Sequence, residues 1–141
     1  MNGRAVVLIV VGVAGCLLSQ GCASRVRDPA TGTEATYHWE ALCAEVDRST
    51  WDVYAAAQQA VDELELKVWR EEVDGLAGDI RAVDAHFNTV EIQLGAMPGC
   101  RTRLTIRIDL FGDKDKSIVL FEEIMAKLGE QESPTSVPRP R

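Results

Sequence analysis

Histidine is scarce: 141 residues contain two, and neither His38 nor His86 lies in a spacing such as HExxH that sets two ligands on one helix face. A GxSxG elbow and a glycine-rich phosphate loop are both missing, which removes the local signatures of serine hydrolases and nucleotide binders. There is no basic surplus either. Lys and Arg number 15 against 22 Asp and Glu, a net charge of −7, so the chain lacks the footprint of a sequence-independent nucleic-acid binder. No uninterrupted apolar run reaches the roughly 20 residues of a membrane-spanning helix. No repeat is visible at any period between about 20 and 50 residues. What remains is room for one domain, with a 46% hydrophobic share sufficient for a core.

The longest apolar run lies near the start. Met1-Asn-Gly-Arg4 is short and basic, Ala5 to Leu18 is charge-free, and Ser19-Gln20-Gly21 is a small polar exit before Cys22. A basic start, an apolar stretch of about 7–15 residues and a small-residue exit describe a secretory signal rather than an anchor helix. With a cysteine directly after the small residue, the segment resembles a bacterial lipoprotein signal, in which that cysteine receives a diacylglyceryl group and becomes the first residue of the mature chain. Two cysteines compete for this role. Val13-Ala14-Gly15-Cys16 has the better aliphatic residue three places earlier, but it leaves a short apolar region and an exposed Leu17-Leu18. Cys22 is therefore the expected lipidation site, and residues 1–21 the signal. Ala23 follows, where an aspartate would mark retention in the inner membrane. The expected address is thus the outer membrane, with the domain facing the periplasm.

Residues 22–37 are rich in small and polar residues, contain Pro29 and show no apolar period, so they are expected to be a flexible tether. Residues 130–141 hold three of the five prolines and are expected to be a disordered tail. The folded part is placed at 38–129. Trp39 to Val46 alternates loosely and predicts a first strand. Asp47-Arg48-Ser49-Thr50 offers helix caps, and Tyr54, Ala57, Val61 and Leu64 form one helical stripe, widened by Val53 and Ala60. The period then changes to two. Leu66, Val68 and Arg70 alternate with Lys67, Trp69 and Glu71, and further strands cover about 77–85, 89–94 and 101–110. In the last of these, Leu104, Ile106, Ile108 and Leu110 face inward. A second helix over about 114–128 carries Ile118, Phe121, Ile124 or Met125, and Leu128, with Asp113 as its cap. The predicted fold is α+β, a two-layer sandwich of about five antiparallel strands with two helices on one face, in the order β-α-β-β-β-β-α.

The stretch from about Glu34 to Leu128 resembles a family of small bacterial lipoproteins known only as a domain of unknown function. The likeness rests on the signal, on Trp51-Asp-Val-Tyr54-Ala-Ala-Ala57, on Gly78-Asp-Ile80, and above all on Ile106-Arg-Ile-Asp-Leu-Phe111-Gly112-Asp113 followed by Ser117. Two positions differ from the pattern. Glu65 stands where the family has a glycine after the first helix, and His86-Phe87-Asn88 replaces a glycine-bearing turn. Asn88 is expected to supply the left-handed backbone there. The resemblance implies an envelope lipoprotein of this fold and no known reaction.

No residue set predicts catalysis, a cofactor or a metal. Glu71 and Glu72 point to opposite faces of a strand, and Glu122 and Glu123 read as the solvated side of a helix. Cys43 and Cys100 are expected to be free thiols. The open face of the last strand is the candidate partner face, with Arg103 and Arg107 beside Glu91 and Gln93, and Trp69 on the same side. The expected function is a non-enzymatic, lipid-anchored envelope protein, held to the membrane by its lipid and binding or scaffolding another envelope protein. The alternative is a periplasmic carrier of a small apolar ligand or lipid in the groove between helices and sheet, a groove expected to be filled by the chain's own side chains.

Overall fold

Period-two alternation becomes sheet where one side of each strand can be buried, and the described residues form seven strands. A computed structural model describes residues 23–132. The elements are β1 (Ser24–Arg27), β2 (Glu34–His38), β3 (Ala41–Val46), α1 (Thr50–Glu63), β4 (Lys67–Val73), β5 (Ala77–Val83), β6 (Thr89–Met97), β7 (Arg101–Ile108) and α2 (Lys114–Glu132). All strands form one antiparallel sheet in the order β1-β2-β3-β7-β6-β5-β4. The α+β class is as expected, with both helices on one face. The sheet is wider than the five strands expected.

The two additional strands come from residues expected to be a tether. Val26 and Ala35 are opposite each other on the helix side, and the turn between them is tied by Asp28, which accepts from the Thr31 N–H (2.8 Å) and hydroxyl (2.7 Å). The second hairpin was hidden for a related reason. Trp39 and Glu40 join β2 to β3, and both have positive φ (49° and 65°), the requirement of a two-residue type I′ hairpin. Asn-Gly is the usual signal for that turn, and Trp-Glu carries none of it. The first predicted strand consequently begins at Ala41 rather than Trp39.

α1 is capped by Ser49, whose hydroxyl accepts from the Asp52 N–H. Its buried side, including Val53, Tyr54, Ala57, Ala60 and Val61, lies over β4–β6. Gly78 makes that approach possible, since a Cβ there would sit 3.1 Å from the Tyr54 ring. Leu120, Phe121, Ile124, Met125 and Leu128 of α2 close the core over β3 and β7. Leu104, Ile106 and Ile108 face inward as expected, but Leu110 does not. The strand ends at Ile108, Asp109 turns the chain at φ 62°, and Leu110 is exposed. α2 also runs to Glu132, into the segment expected to be a tail.

β4 contains one further departure. A bulge between Val68 and Arg70 inserts Trp69, so Arg70 lies opposite Arg81 and Glu71 opposite Ile80. Arg70 is thereby on the open face. Glu71 is on the helix side, where it accepts from Gln58 of α1 (3.1 Å) and from the Tyr54 hydroxyl. Burial and this carboxylate push the Tyr54 hydroxyl above its ordinary pKa.

Candidate interaction surfaces

The side of the sheet away from the helices is open and polar. One row crosses all seven strands in register: Arg25, Thr36, Cys43, Thr105, Gln93, Asp79 and Glu72. Charges on this face are paired, both within and between strands. Arg81 bridges Asp79 (3.0 Å) and Glu91 (3.4 Å), Arg101 bridges Glu45 (3.3 Å), and Arg107 reaches Glu40 (3.2 Å). Arg103 stands 4.0 Å from the same Glu45. Exposed pairs of this kind contribute about 1 kcal/mol or less each, so they set the pattern of charge more than the stability.

Arg103 and Arg107 share β7 and lie near the middle of the open face, with Arg107 opposite Glu91 and Thr105 opposite Gln93 as expected. Trp69 is not brought to them. It occupies the bulge on edge strand β4, three strands from β7, or about 14 Å at the usual strand spacing.

Reactive side chains are dispersed. Cys43 and Cys100 are both free and exposed, and the Cys43 sulfur lies 4.0 Å from the Thr105 hydroxyl. The His38 ring packs edge-on against Trp39, with centroids 5.4 Å apart, while His86 belongs to the β5–β6 turn. Among the described residues, no group of three His, Cys, Asp or Glu side chains converges to hold a metal ion. Cys22 and Cys16 lie outside the described residues.

A second surface, which sequence patterns did not reveal, lies at one end of the sheet. The β2–β3 turn, the β5–β6 turn and the β7–α2 connection all emerge there, because β3 pairs with β7 and β7 with β6. They expose Trp39 (84%), Phe87 (87%), Leu110 (72%) and Phe111 (77%). Trp39, Glu40, Phe87 and Asp109 all have positive φ in these loops. The left-handed residue of the β5–β6 turn is thus Phe87 and not Asn88. Glu65, which follows α1 at the same end, is left-handed too at φ 55°. For residues other than Gly, Asn and Asp such backbone is rare and costs about 1–2 kcal/mol each.

Asp84, Asp109 and Asp113 at this end are engaged by the loops themselves. Asp84 accepts from the Asn88 side chain (2.8 Å), the backbone N–H groups of His86 and Asn88, and the Lys116 ammonium (3.2 Å). These donors, the Asn88 amide foremost, hold its carboxyl far below the usual range. Asp113 caps α2 by accepting from the Lys116 N–H, and Asp109 accepts from the Leu110 N–H. Gly112 (φ 74°) lets the Phe111-Gly112-Asp113 connection press against the β2–β3 turn, where a Cβ would collide with the Tyr37 hydroxyl and the Glu40 backbone.

The groove between helices and sheet is not fully filled. Near the same end, a cleft of about 320 Å³ opens between Leu64, Leu66, Val90, Ile108, Val119 and Leu120, with Asp84, Asp115 and Lys116 also lining it. That is the lower limit for small-molecule sites.

A family model described as a protein of unknown function (DUF3568) matches residues 5–127. No curated protein matches the sequence.

Proposed function

The chain belongs to the DUF3568 family of proteins of unknown function, and we propose that it is a lipid-anchored protein of the bacterial cell envelope that binds or scaffolds another envelope component without catalysing a reaction. The observation carrying this reading is the sequence from Arg4 to Cys22: a basic start, an apolar run too short to span, a small exit and a cysteine. The family match begins at residue 5, so the apolar run belongs to what the family shares. A diacylglyceryl group on Cys22 supplies two chains, and two chains hold a protein stably on a membrane where one is marginal. Ala23 in place of aspartate directs the protein to the outer membrane, with the domain in the periplasm.

The partner-binding half of the proposal draws on the open sheet face. Arg103 and Arg107, with the row through Thr36, Cys43, Thr105 and Gln93, offer a broad polar surface with alternating charge, suited to an envelope protein rather than a nucleic acid. The test is fractionation of cells expressing the full chain. Cys22→Ser moves the protein out of the membrane fraction or leaves it unprocessed, while Cys16→Ser changes little. Loss of membrane association with Cys16→Ser alone refutes the assignment.

The cleft between the helices favours a second reading, carriage of a small apolar ligand. Its apolar lining and volume admit part of an acyl chain rather than a whole lipid. Thermal shift of the purified protein with fatty acids of increasing length separates the readings. A carrier is stabilised by them, and a docking protein is not.

A further inference from the structure

The end of the sheet that exposes Trp39, Phe87, Leu110 and Phe111 is also where the chain enters the fold. Ser24, the first residue of β1, lies opposite Tyr37, two residues before the Trp39-Glu40 turn. Cys22 is two residues upstream of Ser24, and two extended residues reach at most about 7 Å. A lipid on Cys22 therefore leaves this end of the domain no length of chain by which to stand away from the bilayer. From this placement we infer that the loop end rests on the phospholipid surface, with Trp39, Phe87, Leu110 and Phe111 sunk into the interface. The inference rests on the reading that Cys22 carries the lipid.

Three further observations agree with it. Single exposed apolar residues are ordinary, but here three separate loops present them at one end of an acidic chain. Indole and phenyl rings are the side chains that settle at headgroup depth. Trp39 and Phe87 moreover are exposed at 84% and 87%, so the domain itself leaves both rings almost entirely to the surroundings. Finally, four of the carboxylates at this end are engaged, Glu40 by Arg107, Asp84 by Lys116, and Asp109 and Asp113 by backbone N–H groups, while Glu65 and Asp115 stay exposed. Repulsion from anionic lipid is blunted where contact occurs.

This orientation stands the strands upright on the membrane. The open polar face then meets a partner approaching along the bilayer.

The chain's three tryptophans make the test internal. Trp39 is at the loop end, Trp69 on the β4 edge, and Trp51 at the opposite end, where its ring nears Gly75 of the β4–β5 turn. The full chain, expressed with its own signal, is purified from membranes in three versions that keep one tryptophan each, the others replaced by Phe. Trp51 and Trp69 are both 56% exposed, so these replacements spare the core. Each version is reconstituted in phosphatidylethanolamine–phosphatidylglycerol vesicles containing phosphatidylcholine brominated on its acyl chains near the glycerol. Co-flotation and the acyl mass on Cys22 report anchoring, and quenching reports orientation. The expected result is several-fold more quenching of Trp39 than of Trp51, with Trp69 between. Equal quenching in protein that floats and carries the acyl mass overturns the orientation and leaves the anchor standing. Protein that lacks the acyl mass and stays off the vesicles overturns both.

Discussion

Replacing Gly112 by alanine tests whether the β7–α2 connection is truly locked against the β2–β3 turn. The residue has φ 74°, and an added Cβ would overlap the Tyr37 hydroxyl and the Cα and carbonyl oxygen of Glu40. Left-handed backbone costs an alanine about 1–2 kcal/mol. Displacing a packed turn adds about 1–3 kcal/mol, and the less flexible unfolded chain returns about 0.4–1 kcal/mol. The net loss expected for Gly112→Ala is about 2–4 kcal/mol. Gly99→Ala is the matched control, with φ 80° and open space around the new methyl, so only the backbone part remains, about 1 kcal/mol. Urea unfolding followed by tryptophan fluorescence measures both, provided the slopes with denaturant agree. Adding Tyr37→Phe to Gly112→Ala should recover part of the loss, because the hydroxyl is among the atoms struck. Equal losses at Gly112 and Gly99 would refute the close approach.

Other substitutions test other parts of the account. Ile106→Ala should cost about 2–5 kcal/mol and Arg107→Ala about 1 kcal/mol or less, by chemical denaturation, since the first is fully buried and the second is on the open face; similar losses would mean that the inward side of β7 is wrongly assigned. Phe87→Gly should stabilise the domain by about 0.5–1 kcal/mol, because relief of left-handed strain exceeds the added chain entropy and the ring packs on little within the domain; a destabilised variant would show that the ring is supported from within. The lowered pKa of Asp84 makes its contribution to stability fully present above about pH 4, near the carboxyl's ordinary pKa, and lost as pH falls toward the folded value. Thermal unfolding of Asp84→Asn should therefore begin from a lower neutral-pH stability and decline less on acidification than the parent protein, and parallel curves would contradict the hydrogen-bonded turn.

The parts of the fold legible in the sequence are those with sustained periodicity. β6 and β7 each repeat several buried residues at spacing two, and α1 repeats them at three and four, so their faces follow directly. β1 has four residues and β2 five, and each turns little apolar surface inward. Strands so short leave no period to read, and Trp39-Glu40 supplies none of the usual hairpin chemistry. Trp69 hides its bulge for a similar reason. It extends the alternation by one residue, and every side chain after it changes face. The open-face arginines follow from the same periodicity, because Arg103 and Arg107 share a strand with the core residues Ile106 and Ile108. The loop end was not. Trp39, Phe87 and Phe111 are far apart in the chain and meet at one end because β3 inserts beside β7, which is a property of topology. One local trace did exist: Glu65 and Phe87 adopt left-handed backbone at the two places where the resembled family has glycine.

The claim on which the function rests is chemical: Cys22 is the first residue of the mature chain and bears lipid. Mass spectrometry of the most N-terminal peptide, from full chain extracted out of bacterial membranes, measures it directly. The expected peptide begins at Cys22 and ends at Arg25 after trypsin, heavier by a diacylglyceryl group, with no peptide from residues 1–21 in the mature protein. An intact Met1 end, an unmodified Cys22, or an acyl mass on Cys16 would contradict it.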